Sequence, residues 1–223
     1  MHTNSITVKN HNVLAALAAG ALSLVGAAAH AADYTSFVRA EATYTDTGYK
    51  MDFAPKGYQA GAGLTFGGLL NSEHEFSLST GLTDWTSNHN HVAGSFDVYS
   101  KVEQVPVLLN YRFHYTLDQD ARYSVFAGPT VGFIHEKFTE TNTDLGLGFP
   151  ASATGASSES KWEPAYGGTV GVSVKIGKGW DVSATAQFLR VESHTFRTHG
   201  GFDTTNFKDA VRPSFALNIG YGW

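Results

Sequence analysis

His89 and His91 stand two residues apart in the segment "HNH". Imidazoles at that spacing share a strand face and could hold a metal ion, yet zinc needs further ligands and the sequence fixes none nearby. The pair therefore reads as part of a solvated polar loop. Asp84, Asp97 and Asp203 could supply carboxyl groups for acid–base work, but none has a partner at fixed spacing, so each reads as an ordinary loop residue. Cysteine is absent, which removes disulfides, thiolate metal sites, a thiol nucleophile and lipid attachment through an N-terminal cysteine. No glycine-rich phosphate loop fits, because the glycines fall within strand-like runs and not between a strand and a helix.

A second set of polar residues is more informative: Arg39, Glu41, Asn110, Arg112, Lys175, Gln187 and Asn218. Each lies on the polar parity of a run in which apolar residues alternate, so a sheet would turn them all to one side. Charges on an enclosed face must pair and hydrogen-bond, because desolvating them is costly. The question is which elements gather them.

The chain has 223 residues, a net charge of −5, 13% aromatic residues and 24 glycines, a mixture that favours strands and turns and points to no nucleic acid. Its first segment stands apart. "MHTNSITVKNHN" carries one lysine and no acid, "VLAALAAGALSLVGAAA" is apolar, and Ala29 to Ala31 offers small residues to a signal peptidase. The apolar run is shorter than the roughly 20 residues a membrane helix needs and is broken by Gly20, Ser23 and Gly26. Residues 1–31 are thus expected to be a cleaved export signal and 32–223 a single domain.

From Asp33 onward the apolar period is two. "FVRAEATY" sets Val38, Ala40, Ala42 and Tyr44 against Arg39, Glu41 and Thr43, and "QVPVLLNYRFHY" sends Val105, Val107, Leu109, Tyr111, Phe113 and Tyr115 opposite to Gln104, Asn110, Arg112 and His114. "GYQAGAGLTF", "EFSLSTGLTDW", "RYSVFAGPTVGF", "AYGGTVGVSVKI", "WDVSATAQF" and "SFALNIGYGW" alternate likewise, making eight strands. Their connections alternate too: long near 45–56, 86–96, 139–161 and 193–210, short at "LLNSEH", "TLDQDAR" and "GKG". Long loops on one side and short turns on the other are the layout of an up-and-down barrel that crosses a membrane. An extra hairpin within 139–161 would raise the count to ten.

Soluble barrels alternate as well, with the apolar face inward. The polar face decides the matter. It holds Gly61, Gly63, Ser77, Ser79, Gly81, Gly167, Thr169, Gly171 and Ser173, small residues that suit the inside of a narrow barrel and not a surface in water. On the apolar face Phe76, Tyr115, Tyr123, Trp180, Tyr221 and Trp223 gather toward the turns, and Tyr44, Tyr58, Tyr99, Phe133, Trp162 and Phe188 toward the loops. Two aromatic belts mark two membrane–water interfaces. The expected fold is all-β: an eight-stranded antiparallel up-and-down transmembrane β-barrel.

"QVPVLLNYRF" followed by "YSVFAGPTVG", together with the C-terminal alternation ending in an aromatic, resembles small outer-membrane β-barrels of the OmpX and OmpA transmembrane type, grouped with the opacity-like porin-family barrels. The resemblance covers 32–223. It implies a bacterial outer-membrane location, a monomer, lipid and lipopolysaccharide around the wall, and a final strand read by the outer-membrane assembly machinery. In this chain that signal would be Phe215, Leu217, Ile219, Tyr221 and Trp223, with Trp where most relatives end in Phe. It implies no cofactor and no one activity, since the group includes adhesins, defence proteins and narrow channels. A lipid deacylase resembling the known barrel enzymes would carry His and Ser one residue apart late in the chain, and Ser193 to Phe196, "SHTF", has the types in another order.

The reading is therefore a non-enzymatic barrel with a polar, plugged lumen, acting structurally or through surface loops on an extracellular protein partner. The competing reading is a narrow porin-like channel for ions or small solutes. "FDVYSKVEQ" and "IHEKFTE" extend two neighbouring strands and put Lys101, Glu103 and His135 on the lipid-facing parity, so these ends must stand above the hydrocarbon layer. Projecting strands of this kind could pair with strands of another protein. The segment 139–161 reads as a polar, mobile loop. Pro129 lacks the N–H that a closed ladder requires, and a bulge is expected there.

Overall fold

The computed structural model describes residues 34–46, 58–86, 90–92, 96–144, 155–198, 203–207 and 210–223. The expected signal, residues 1–31, lies outside them. Eight strands form the wall: β1 (Tyr34–Asp46), β2 (Tyr58–Leu70), β3 (His74–Thr86), β5 (Phe96–Thr116), β6 (Tyr123–Asp144), β7 (Gly155–Lys175), β8 (Trp180–Val191) and β11 (Ala210–Gly222). Three short strands, β4 (Asn90–Val92), β9 (His194–Thr198) and β10 (Asp203–Phe207), belong to the connections. All pairings are antiparallel, and the β1–β11 ladder closes the sheet. Closure matters because lipid offers no partner to an unpaired backbone edge.

The register fixes the barrel's shape. Following paired residues around the wall, Tyr34, Leu70, His74, Phe113, Ala127, Val170, Ala186 and Phe215 lead back to the first strand at Tyr44, ten residues from the start. That stagger goes with strands tilted by roughly 35–45° from the axis. The interior of an eight-stranded barrel is only wide enough for side chains to fill.

Alternation places the side chains as expected. Val172 and Leu217 are exposed on the outer face, while Thr65, Thr130 and Thr169 are buried inside. The small residues of the inner face let the wall close around larger ones. A Cβ on Gly171 would stand 2.4 Å from the Phe126 ring, and one on Gly167 would stand 1.8 Å from the Phe188 carbonyl oxygen.

Several local expectations are corrected. The bulge at Pro129 is absent. Asn110 faces Thr130 and Phe113 faces Ala127, so equal numbers of residues lie between on both strands, and Pro129 pairs with Gly168 in unbroken register. The β5–β6 ladder skips the residues beside the proline, so its missing N–H interrupts pairing without shifting it. Among the described residues the segment 139–161 adds no strand to the wall: β6 runs on to Asp144 and β7 begins at Gly155, which lengthens one existing pair. Strand thus replaces loop at 139–144 and 155–161. The 193–210 connection likewise contains the β9–β10 hairpin, and the 86–96 connection contains β4.

Candidate functional site

Inward parity on every wall strand brings polar groups together in the lumen, and they sort into tiers. Near the turns, Glu75 on β3 is fully buried and acts as a hub. Its Oε2 lies 2.7 Å from Arg39 Nη1 and 3.1 Å from His114 Nε2, and its Oε1 lies 2.9 Å from Arg112 Nη1. Arg39 also reaches Asp181 on β8, Nε to Oδ1, at 3.1 Å. Its guanidinium lies 3.9 Å from the centre of the Phe37 ring, a cation–π contact. One buried carboxylate thus links three strands, which compensates the desolvation that each charge incurs alone.

Above this tier hydroxyls and amides take over. Asn110 donates to Ser79 at 2.8 Å and accepts from Thr130 at 2.9 Å, while Asn218 donates to Ser183 at 3.1 Å and to Thr185 at 3.0 Å. Thr65 donates to Glu41, and Gln187 donates to Thr169 at 3.4 Å. A cavity of about 90 Å³ remains at this level, lined in part by Glu41, Thr83, Gln104, Arg112, Arg212 and Asn218. A polar space of this size has room for several waters.

Toward the loops a second buried carboxylate, Glu136 on β6, accepts from Gln104 at 2.8 Å and from Arg212, and its Oε2 lies 2.8 Å from His194 Nε2. Above it β5, β6 and β7 continue as a projecting sheet with a small core of its own, where Val102 is buried beside its cross-strand neighbour Phe138, and Phe138 stacks on Phe196 of the β9–β10 hairpin. On the outer face of that sheet Lys101 bridges Asp84 and Glu103, each at 3.0 Å, Lys137 approaches Glu103 at 3.6 Å, and His135 packs on Trp162.

Of the lumen residues singled out in the sequence, Arg39, Asn110, Arg112 and Asn218 are buried in this network, and Glu41 and Gln187 sit half-buried at its middle. Lys175 is not part of it. It is exposed at the turn end of β7, where the strand has passed beyond the enclosed section. Sequence reasoning does not single out Glu75, Glu136, Asp181 or Arg212, and meets His194 only within "SHTF", where it is weighed beside Ser193 and set aside. Parity is the signal that could have found Glu75, which shares a face with Ser77 and Ser79, and Glu136, which shares one with Thr130. His89 lies outside the described residues, His91 falls on β4, and Asp84 is the ion-paired residue above.

Phe215, Leu217, Ile219 and Tyr221 are all exposed on the outer face of β11, and Trp223, one residue past its end, is exposed as well. Trp223 is held by two backbone hydrogen bonds to Ser36, of 2.9 and 3.1 Å, and its ring stacks on Tyr221.

The family model described as outer membrane protein beta-barrel domain matches residues 16–215. The chain belongs to that family. As a member it is a bacterial outer-membrane protein, so its apolar wall faces lipid. No curated protein matches it. Among solved structures it is similar to the outer membrane protein OprG of Pseudomonas aeruginosa, at 14% identity and TM-score 0.55, over 87% of this chain and 97% of that one. It is also similar to a major outer membrane protein of Thermus thermophilus, at 11% identity and TM-score 0.50, over 86% and 100%. The attachment invasion locus protein Ail of Yersinia pestis matches at 14% identity and TM-score 0.47, over 85% and 98%. At these identities the likeness is one of fold alone.

Proposed function

We propose that this barrel is a non-enzymatic surface protein, closed to solute flow, that presents its projecting β5–β6–β7 sheet to an extracellular protein partner. The observation that carries the closed state is the double crossing of the lumen, by the Glu75 tier and again by the Glu136 tier. The charge ladder on the outer face of the sheet supports its standing clear of the hydrocarbon, because charge on the lipid face is destabilising there. A partner strand or loop meeting that sheet would be recognised by main-chain pairing and by pockets for alternate side chains.

The cavity between the tiers favours a second reading, a narrow channel that needs only its tiers displaced. Recording the purified protein in a planar bilayer separates the two. The closed reading expects a silent membrane, and reproducible single-channel steps would replace it with the channel. The surface role is tested by shortening β5, β6 and β7 to the level of Gln104, Glu136 and Lys161, which pair in register, and comparing binding of candidate extracellular proteins. Equal binding by the shortened and full proteins removes the role of the sheet.

A further inference from the structure

The β9–β10 hairpin belongs to the β8–β11 connection, yet among the described residues its two strands pair with each other and join no ladder of the wall. Its attachment runs through side chains and isolated hydrogen bonds. His194, Phe196 and Thr198 point into the projecting sheet and are buried. Phe196 stacks on Phe138 with ring centres 5.6 Å apart, and Lys161 Nζ lies 5.7 Å from the Phe196 ring centre while donating to the Thr195 carbonyl oxygen. Glu159 accepts from the Arg197 backbone N–H, and Thr198 donates to Glu140 at 3.5 Å.

The decisive group is His194. Its Nε2 lies 2.8 Å from Glu136 Oε2, and its Nδ1 lies 3.1 Å from the Glu192 carbonyl oxygen and 4.0 Å from Glu163 Oε1. Both ring nitrogens face acceptors. A neutral imidazole has one N–H and leaves one of these contacts lone pair to lone pair, whereas the imidazolium donates from both.

We propose that the β9–β10 hairpin is a proton-operated lid over the outer mouth of the barrel, held down while His194 is an imidazolium between Glu136 and Glu163 and released when that proton leaves. This goes beyond the reading of a closed lumen, because the Glu75 tier below is untouched by the lid. Among the described residues, the charged groups on the elements packed around the imidazole are Glu136 and Glu140 from β6, Lys161 and Glu163 from β7, Arg212 from β11, and Glu192 just ahead of the hairpin. Burial opposes the charged ring, but the Glu136 carboxylate 2.8 Å from its Nε2 outweighs it, so His194 titrates above the ordinary histidine range. A folded-state value raised in this way gives stability that is complete below the unfolded value and lost as pH rises through the folded one. The lid is therefore down below the ordinary histidine range and lifts as pH rises through the raised His194 value, uncovering Phe138.

The test places 4-fluorophenylalanine at position 196 in the full barrel, in lipid vesicles, and follows its fluorine resonance from about pH 5 to about pH 9, the range in which histidine titrates. The expected result is one transition from a buried to a solvated ring, centred above the ordinary histidine range, with the barrel still folded by heat-dependent gel migration. In His194→Gln, whose amide can still donate to Glu136 but never charges, the transition is expected to vanish, whether the ring stays seated or stays solvated. A ring environment constant across the range overturns the proposal. So does a transition that persists in His194→Gln, or one that coincides with unfolding of the whole barrel.

Discussion

The Glu75 carboxylate stands 2.7 Å from the Arg39 guanidinium, although their strands, β3 and β1, are separated by β2. The pair is therefore a brace across the lumen, whereas the contact with Arg112 on the adjacent β5 runs along the wall. In a soluble domain such buried ions are weak evidence of stability, since an apolar core of the same volume often does as well. Here the apolar residues are turned to lipid, and the inside of the wall has to be held by polar contacts. That inversion makes specific expectations.

Leu217 lies mid-strand on the outer face and is 67% exposed, with Ala42 and Ala184 as its cross-strand neighbours. Leu217→Arg is expected to destabilise the folded barrel by about 2–4 kcal/mol, the cost of a cation at the bilayer midplane. Urea unfolding of the protein in lipid vesicles checks it. A change of a few tenths would mean that this face does not meet lipid.

Gly167 touches the neighbouring backbone, whereas Gly177 in the β7–β8 turn has nothing within 4 Å of where a Cβ would stand. Gly167→Ala is expected to cost about 1–3 kcal/mol, because the wall must shift to admit the methyl group. Gly177→Ala should stay within about 0.5 kcal/mol of the parent. Equal effects on unfolding would show that close packing of the wall is not what fixes Gly167.

Trp223 joins the closing seam to β1 through its paired hydrogen bonds with Ser36. Its deletion is expected to lower the yield of folded barrel and slow insertion into vesicles, while Trp223→Phe, which keeps the backbone pair and an aromatic ring, restores both. Insertion kinetics followed by heat-dependent gel migration read the difference. A deletion that inserts at the parental rate would show that neither seam nor terminal ring matters to assembly.

Period-two alternation made the wall legible from sequence, because a strand in lipid has no other way to satisfy both faces. The length of the outer strands was less legible. Thr139 to Asp144 and Gly155 to Lys161 are rich in Ser, Thr and Glu, and above the membrane their polar composition no longer distinguishes strand from loop. The lumen network was half legible. Arg39 and Arg112 sit inside clear alternating runs, but their shared partner Glu75 lies at the start of its strand, beside a turn, where an acid reads as solvated. His194 was illegible for another reason. Its partners Glu136 and Glu163 come from β6 and β7, and only the folding of one loop onto two distant strands brings the three together.

The most direct test of the central claim, that a polar network in the lumen holds the barrel as a core would, is a double-mutant cycle between Glu75 and Arg112. Glu75→Gln, Arg112→Met and the double variant are unfolded in urea from lipid vesicles alongside the parent. Removing the Glu75 charge alone leaves buried guanidinium groups short of a counter-charge and is expected to cost about 3–5 kcal/mol. The cycle is expected to return a coupling of about 2–3 kcal/mol, near the upper end for residues in one network. Single costs that simply add, with no coupling between the two sites, would contradict the account.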